Sequence, residues 1–106
     1  MRITAGGSGK GTLIFQGWQY WFNVENMTIS GVGGQEVELE GSVYDLAKIE
    51  DFEGTYKTMA ADIKKGGGLE GVWFKNEKGV RVHITSSNKD ITIRLNSEGA
   101  TVTLKE

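Results

Sequence analysis

From Gln35 to Tyr44 the chain alternates without a break: Val37, Leu39, Gly41 and Val43 fall on one side, Glu36, Glu38, Glu40 and Ser42 on the other. A period of two belongs to a strand with one face buried and the other in water. The same residues wound into a helix would carry their carboxylates into the core. Related runs recur along the chain. Thr12–Gln16 is β-branched and aromatic between Gly11 and Gly17, and Trp18, Tyr20, Phe22 and Val24 alternate with Gln19, Trp21 and Asn23. Further on, Leu69–Lys75, Val80–Ser86, Ile91–Leu95 and Ala100–Leu104 read as strands, with Val80, Val82 and Ile84 inward against Arg81 and His83.

Between these runs stand short turn-forming segments: Glu25-Asn26, Asn76-Glu77-Lys78-Gly79, Ser87-Asn88-Lys89-Asp90 and Asn96-Ser97-Glu98-Gly99. They suit tight hairpins, so consecutive strands are expected to pair as a meander, with Ile91, Ile93 and Leu95 beside Val82 and Ile84. Two places break the pattern. Asp45 can cap a short helix through Leu46 and Ile49, and Thr55–Ile63 spaces Tyr56, Met59, Ala60 and Ile63 as a helix would, with Lys64-Lys65 and Gly66–Gly68 as its exit. So many short strands leave exposed edges unless the sheet curls on itself. The expected fold is mainly β: a small antiparallel β-barrel of about 6–8 strands with one or two short helices, a two-sheet β-sandwich being the other arrangement.

The chain of 106 residues is read as a single domain over residues 1–106, because one core is all that such a length supports. Residues 1–10, rich in glycine, are expected to form a flexible N-terminal arm. With 12 basic and 14 acidic residues the net charge is -2, so no global field draws the chain to nucleic acid. No run nears the roughly 18 apolar residues of a membrane helix, which argues against an integral membrane protein. The absence of cysteine removes disulfides, thiolate nucleophiles and most structural zinc sites.

Gly7-Ser8-Gly9-Lys10-Gly11-Thr12 looks like the tip of a phosphate-binding loop. The pattern needs a glycine where Thr4 stands and a helix where Leu13-Ile14-Phe15 follows, so a flexible glycine-rich arm or a hairpin lead is the reading. A single histidine builds no metal site; His83 with Arg81 and Arg94 offers at most an anion contact on a solvated strand face. Glu36, Glu38 and Glu40 share a face at a spacing compatible with paired carboxylate chemistry or calcium, but a wet stripe paired to Arg81 and Arg94 is the commoner origin. No nucleophile, base and orienting acid assemble, so no catalytic residue, metal or cofactor is assigned and an enzyme is not expected. The aromatic group is the richest feature. Trp18, Tyr20, Trp21, Phe22 and Trp73 are the candidate ligand-binding residues, either as barrel core with Trp21 at a rim or as the lining of a lumen for an acyl chain or other apolar ligand.

Gly9-Lys10-Gly11-Thr12-Leu13 before an aromatic strand, then Gly31-Val32-Gly33-Gly34, Gly41-Ser42-Val43-Tyr44-Asp45-Leu46, Asp51-Phe52-Glu53-Gly54-Thr55-Tyr56 and Asn76-Glu77-Lys78-Gly79-Val80, form a pattern of glycine and aromatic positions. It resembles the EipA-like envelope-integrity proteins, small bacterial barrels of uncharacterised function, and is more distantly similar to SYLF lipid-binding domains. The resemblance implies a non-enzymatic periplasmic or secreted protein whose partner is lipid or another envelope protein. Met-Arg-Ile-Thr-Ala-Gly-Gly shows no apolar leader segment, which leaves a cytoplasmic location open beside a trimmed signal peptide. Two other readings stand beside it: a protein-interaction or surface-antigen module, and a hydrolase built on the glutamate stripe.

Overall fold

The computed structural model describes residues 1–6, 9–31, 37–58, 72–87 and 91–105. In chain order the strands are β1 (Arg2–Gly6), β2 (Lys10–Phe15), β3 (Trp18–Glu25), β4 (Met27–Gly31), β5 (Glu38–Tyr44), β6 (Gly54–Thr58), β7 (Val72–Lys75), β8 (Arg81–Ser87), β9 (Ile91–Leu95) and β10 (Ala100–Leu104), with a 3-10 turn over Ile49–Phe52. Eight of them close a barrel in the order β1-β2-β3-β10-β6-β7-β8-β5, and β4 and β9 form a two-stranded ribbon. Each pairing is antiparallel. The fold is the small antiparallel barrel expected from the alternation, and not a sandwich.

The stretch expected as an N-terminal arm supplies the closing strand. β1 pairs on one side with β2, Arg2 opposite Ile14, and on the other with β5, Arg2 opposite Ser42. Ile3 points inward at 5% exposure and anchors it. Closure removes the unpaired edges that β2 and β5 would otherwise present. Gly7 and Ser8, in the middle of the loop-like motif, lie outside the described residues.

The expected order of neighbours is corrected in two places. Asn26, at φ 64, does not turn β3 back on β4; the two run on as one line, and β4 pairs with β9 while β3 pairs with β10. Likewise β8 lies between β5 and β7, so Ile91 and Ile93 do not sit beside Val82 and Ile84 in the sheet. The β4–β9 ribbon prolongs the β3–β10 pair, tied at the junction by Asn96 N–H to the Asn26 carbonyl at 2.8 Å. It folds Ile91 and Ile93 into the core and covers one barrel end.

The other end is closed by the segment between β5 and β6. Asp45, at φ 63, opens a loop that carries Leu46 inward and ends in the 3-10 turn, whose preceding residue is Lys48. Phe52 enters the barrel edge-on to Phe22, ring centroids 5.1 Å apart. The Asp45-capped helix is therefore a single short turn, since so few residues between two strands cannot offset helix nucleation. The helical reading of Thr55–Ile63 fails where it is described: Thr55–Thr58 belong to β6, with Tyr56 inward and Lys57 out. Met59, Ala60, Ile63 and the Lys64–Gly68 exit lie outside the described residues.

Candidate functional site

The barrel interior is packed rather than hollow. Phe22, Phe52, Tyr56, Phe74 and Val102 fill it around an apolar void of about 60 Å³. That is well short of the roughly 150 Å³ apolar cavity that takes up one benzene, so an acyl chain does not fit without repacking. Tyr56 is the polar intruder: its hydroxyl donates to the Phe52 carbonyl at 2.6 Å, and burial pushes its pKa well above the usual phenol range.

The five aromatic candidates do not converge on that void. Phe22 is inside, at 2% exposure, and lines it. Tyr20 is half-buried against Phe15, ring centroids 6.4 Å apart. Trp18 has the same parity as Phe22 but stands at the barrel rim and is 71% exposed, while Trp21, of opposite parity, is 56% exposed on the outer wall. Trp73 lies half-buried on the outside of β7, stacked on His83 at 4.0 Å and 2°.

At the rim, the β2–β3 turn is fixed by Gln16 at φ 52 and Gly17 at φ 80, the two consecutive left-handed residues of a tight hairpin. It places Trp18 opposite Phe15, with the exposed Ile14 one register step away and opposite Arg2.

The outer wall of β5, β7 and β8 carries a cluster that parity alone does not reveal. The rings of Trp73 and Tyr44 reach across β8 to 5.6 Å, and the Arg81 guanidinium lies 5.4 Å from one and 5.7 Å from the other. Arg81 is held by Asp45 at 2.7 Å, and Arg94 sits apart from it, on the ribbon opposite Thr28. The stripe's Glu40 meets Arg2 at 3.4 Å, both side chains well exposed. Glu38 is exposed beside it, and Glu36 lies outside the described residues. Among the described residues no group of three acidic or histidine side chains is placed to hold a metal ion, and no helix is long and apolar enough to cross a membrane.

The residue that sequence reading passed over is Asn76, taken only as a turn former. It is buried, and its side chain ties the β7–β8 turn to the end plug: the amide donates to the Asp51 carbonyl at 2.8 Å, and the oxygen accepts from Lys78 N–H and Val80 N–H at 2.9 Å each. Its position two and four residues ahead of the donors is the one sequence signal for such a bond. Comparison with protein-family models, with curated proteins and with solved structures finds no match to this chain.

Proposed function

We propose that this is a non-enzymatic binding barrel of the bacterial envelope, periplasmic or secreted, which touches lipid or another apolar surface through its rim instead of its lumen. The observation that carries the reading is Trp18, 71% exposed where the Gln16-Gly17 turn enters β3 at the barrel end. A large amphipathic ring held in water costs solvation free energy, and such rings are favoured at the boundary between apolar and wet phases. Ile14, also exposed, lies one register step away on β2 and extends the apolar area. The resemblance to the EipA-like proteins supports the envelope setting, and the packed interior argues for surface contact over enclosure.

Sedimentation of the intact chain with phosphatidylethanolamine–phosphatidylglycerol vesicles tests it. Binding should blue-shift tryptophan emission, weaken about tenfold or more in Trp18→Ala, as fits the loss of one large buried ring, and change little with salt, because the chain's net charge is only -2. Failure to sediment with vesicles, or equal binding by Trp18→Ala, would remove the rim from the reading.

A further inference from the structure

On the outer wall, β3, β2, β1 and β5 lie side by side, and their register sets Trp21, Thr12, Thr4 and Glu40 in one row. The next row toward the rim reads Gln19, Ile14, Arg2 and Ser42. Between Trp21 and Glu40 the wall dips into a groove of about 470 Å³, with Lys10 and Gln19 among its lining residues. That lies within the roughly 300–1,000 Å³ of small-molecule sites.

We infer that this groove binds a neutral glycan segment, with a hexopyranose ring stacked on Trp21 and its hydroxyls held by Thr4, Thr12, Gln19 and Glu40. Three features select that chemistry. First, Trp21 presents an aromatic surface: it is 56% exposed, and none of the ring contacts among the described residues involves it. Its backbone is fixed on both sides, by Thr12 across β2 and by Lys105 N–H to its carbonyl at 2.8 Å, so the platform is preorganised.

Second, the floor is polar and two-sided. The Thr4 and Thr12 hydroxyls are 2.7 Å apart, so one donates to the other. The accepting hydroxyl keeps its own hydrogen to donate, and both keep lone pairs. The Gln19 amide adds a donor and an acceptor. A purely apolar ligand would strip water from these groups and return nothing. Third, the lining carries both signs of charge. Lys10 stands with Glu38 and Glu40, and Arg2, outside the lining, meets Glu40 at 3.4 Å. An anion would meet the two carboxylates, and a cation would meet Lys10 and a Glu40 already paired to Arg2; a neutral polyhydroxylated ring can use donors and acceptors alike.

The site is independent of the rim, because Trp18 does not line it. The test is titration of the isotope-labelled intact chain with three neutral trisaccharides, cellotriose, maltotriose and tri-N-acetylchitotriose, followed by amide and indole NMR shifts. At least one should give saturable shifts at Thr4, Thr12, Gln19, Trp21 and Glu40. Trp21→Ala should weaken it tenfold or more, and Thr12→Val, which keeps the β-branched shape on the strand, several-fold. Trp18→Ala should leave it unchanged. Thr12→Val and the exposed site of Trp21 keep folding out of the result, which the amide spectrum of each variant verifies. No saturable shift with any of the three sugars, shifts centred on another face, or unchanged binding by Trp21→Ala would overturn the inference.

Discussion

Replacing Asn76 by alanine removes the side chain that joins two parts of the molecule closing the same barrel end. The backbone bonds of the turn survive: Asn76 N–H to the Val80 carbonyl at 3.0 Å and Gly79 N–H to the Asn76 carbonyl at 3.2 Å. Three side-chain bonds are lost, to Asp51, Lys78 and Val80. Lys78 is exposed, so its N–H turns to water and that bond costs little. Val80 is fully buried, so its N–H is left without a partner in a place water does not reach. Taking about 1 kcal/mol for each ordinary bond and about 1–3 kcal/mol for a stranded buried donor, the loss comes to about 3 kcal/mol. For a domain of this size that lowers the melting temperature by about 10–20 °C. Glu77→Ala is the matched control, one residue along the same turn: its carboxylate accepts from Thr55 N–H at 2.9 Å at an exposed position, and its removal should cost under about 1 kcal/mol. Equilibrium unfolding in urea measures both. If Asn76→Ala costs no more than Glu77→Ala, the bond to the plug does not hold the barrel end and the Val80 N–H is not stranded by the substitution.

Two further outcomes follow from the core and the sheet. Tyr56 is harder to ionise folded than unfolded, so the folded state binds more protons above pH 10; its contribution is complete below the ordinary phenol pKa and is lost as pH rises beyond it, by up to about 1.4 kcal/mol per pH unit. Tyr56→Phe should lose about 1–2 kcal/mol near neutrality through the unpaired Phe52 carbonyl yet show a flatter decline in alkali, and parallel alkaline curves for the two proteins would contradict this. Gly41 sits at a register shift in β5, where an added Cβ would run into the His83 carbonyl oxygen and lie 3.1 Å from the Ile84 Cα. Gly41→Ala should therefore cost at least about 2 kcal/mol, whereas Gly17→Ala, with open space but φ 80, should cost only about 1 kcal/mol; equal midpoints in urea would remove the steric argument.

How much of this was legible in the residues depends on how far each cause reaches along the chain. Alternation is local, and it marked the inward faces of β5 and β8 correctly, because a one-residue slip would turn Val82 and Ile84 out to water. Neighbour order is not local. Nothing in Ile91–Leu95 says that its partner is Met27–Gly31 and not the strand just before it; that follows from Asn26 carrying β3 straight on into β4. The first residues read as an arm or a hairpin lead, and not as a closing strand, for a related reason. The apolar content of β1 is chiefly Ile3, too little to mark a strand alone, and β1 is extended because two open edges meet over it. Over Thr55–Thr58 the helical spacing that starts at Tyr56 has a weaker claim than the edges of β10 and β7 between which β6 is laid.

For the candidate site the decisive variable is depth along the barrel axis, which period two does not encode. Trp18 and Phe22 share one face of β3, yet one is 71% exposed and the other 2%, because four residues of strand separate the rim from the centre. Parity predicted Trp21 outward, and it is outward; what parity could not supply is that three neighbouring strands bring Thr12, Thr4 and Glu40 level with it. A ring is a core residue, a rim contact or a platform according to two coordinates, its face and its depth. Trp18 stands at the rim, Trp21 on the outer wall of β3 and Trp73 against His83 on the outer wall of β7, so they report on separate surfaces, and a ligand that perturbs one indole without the others also states where it sits.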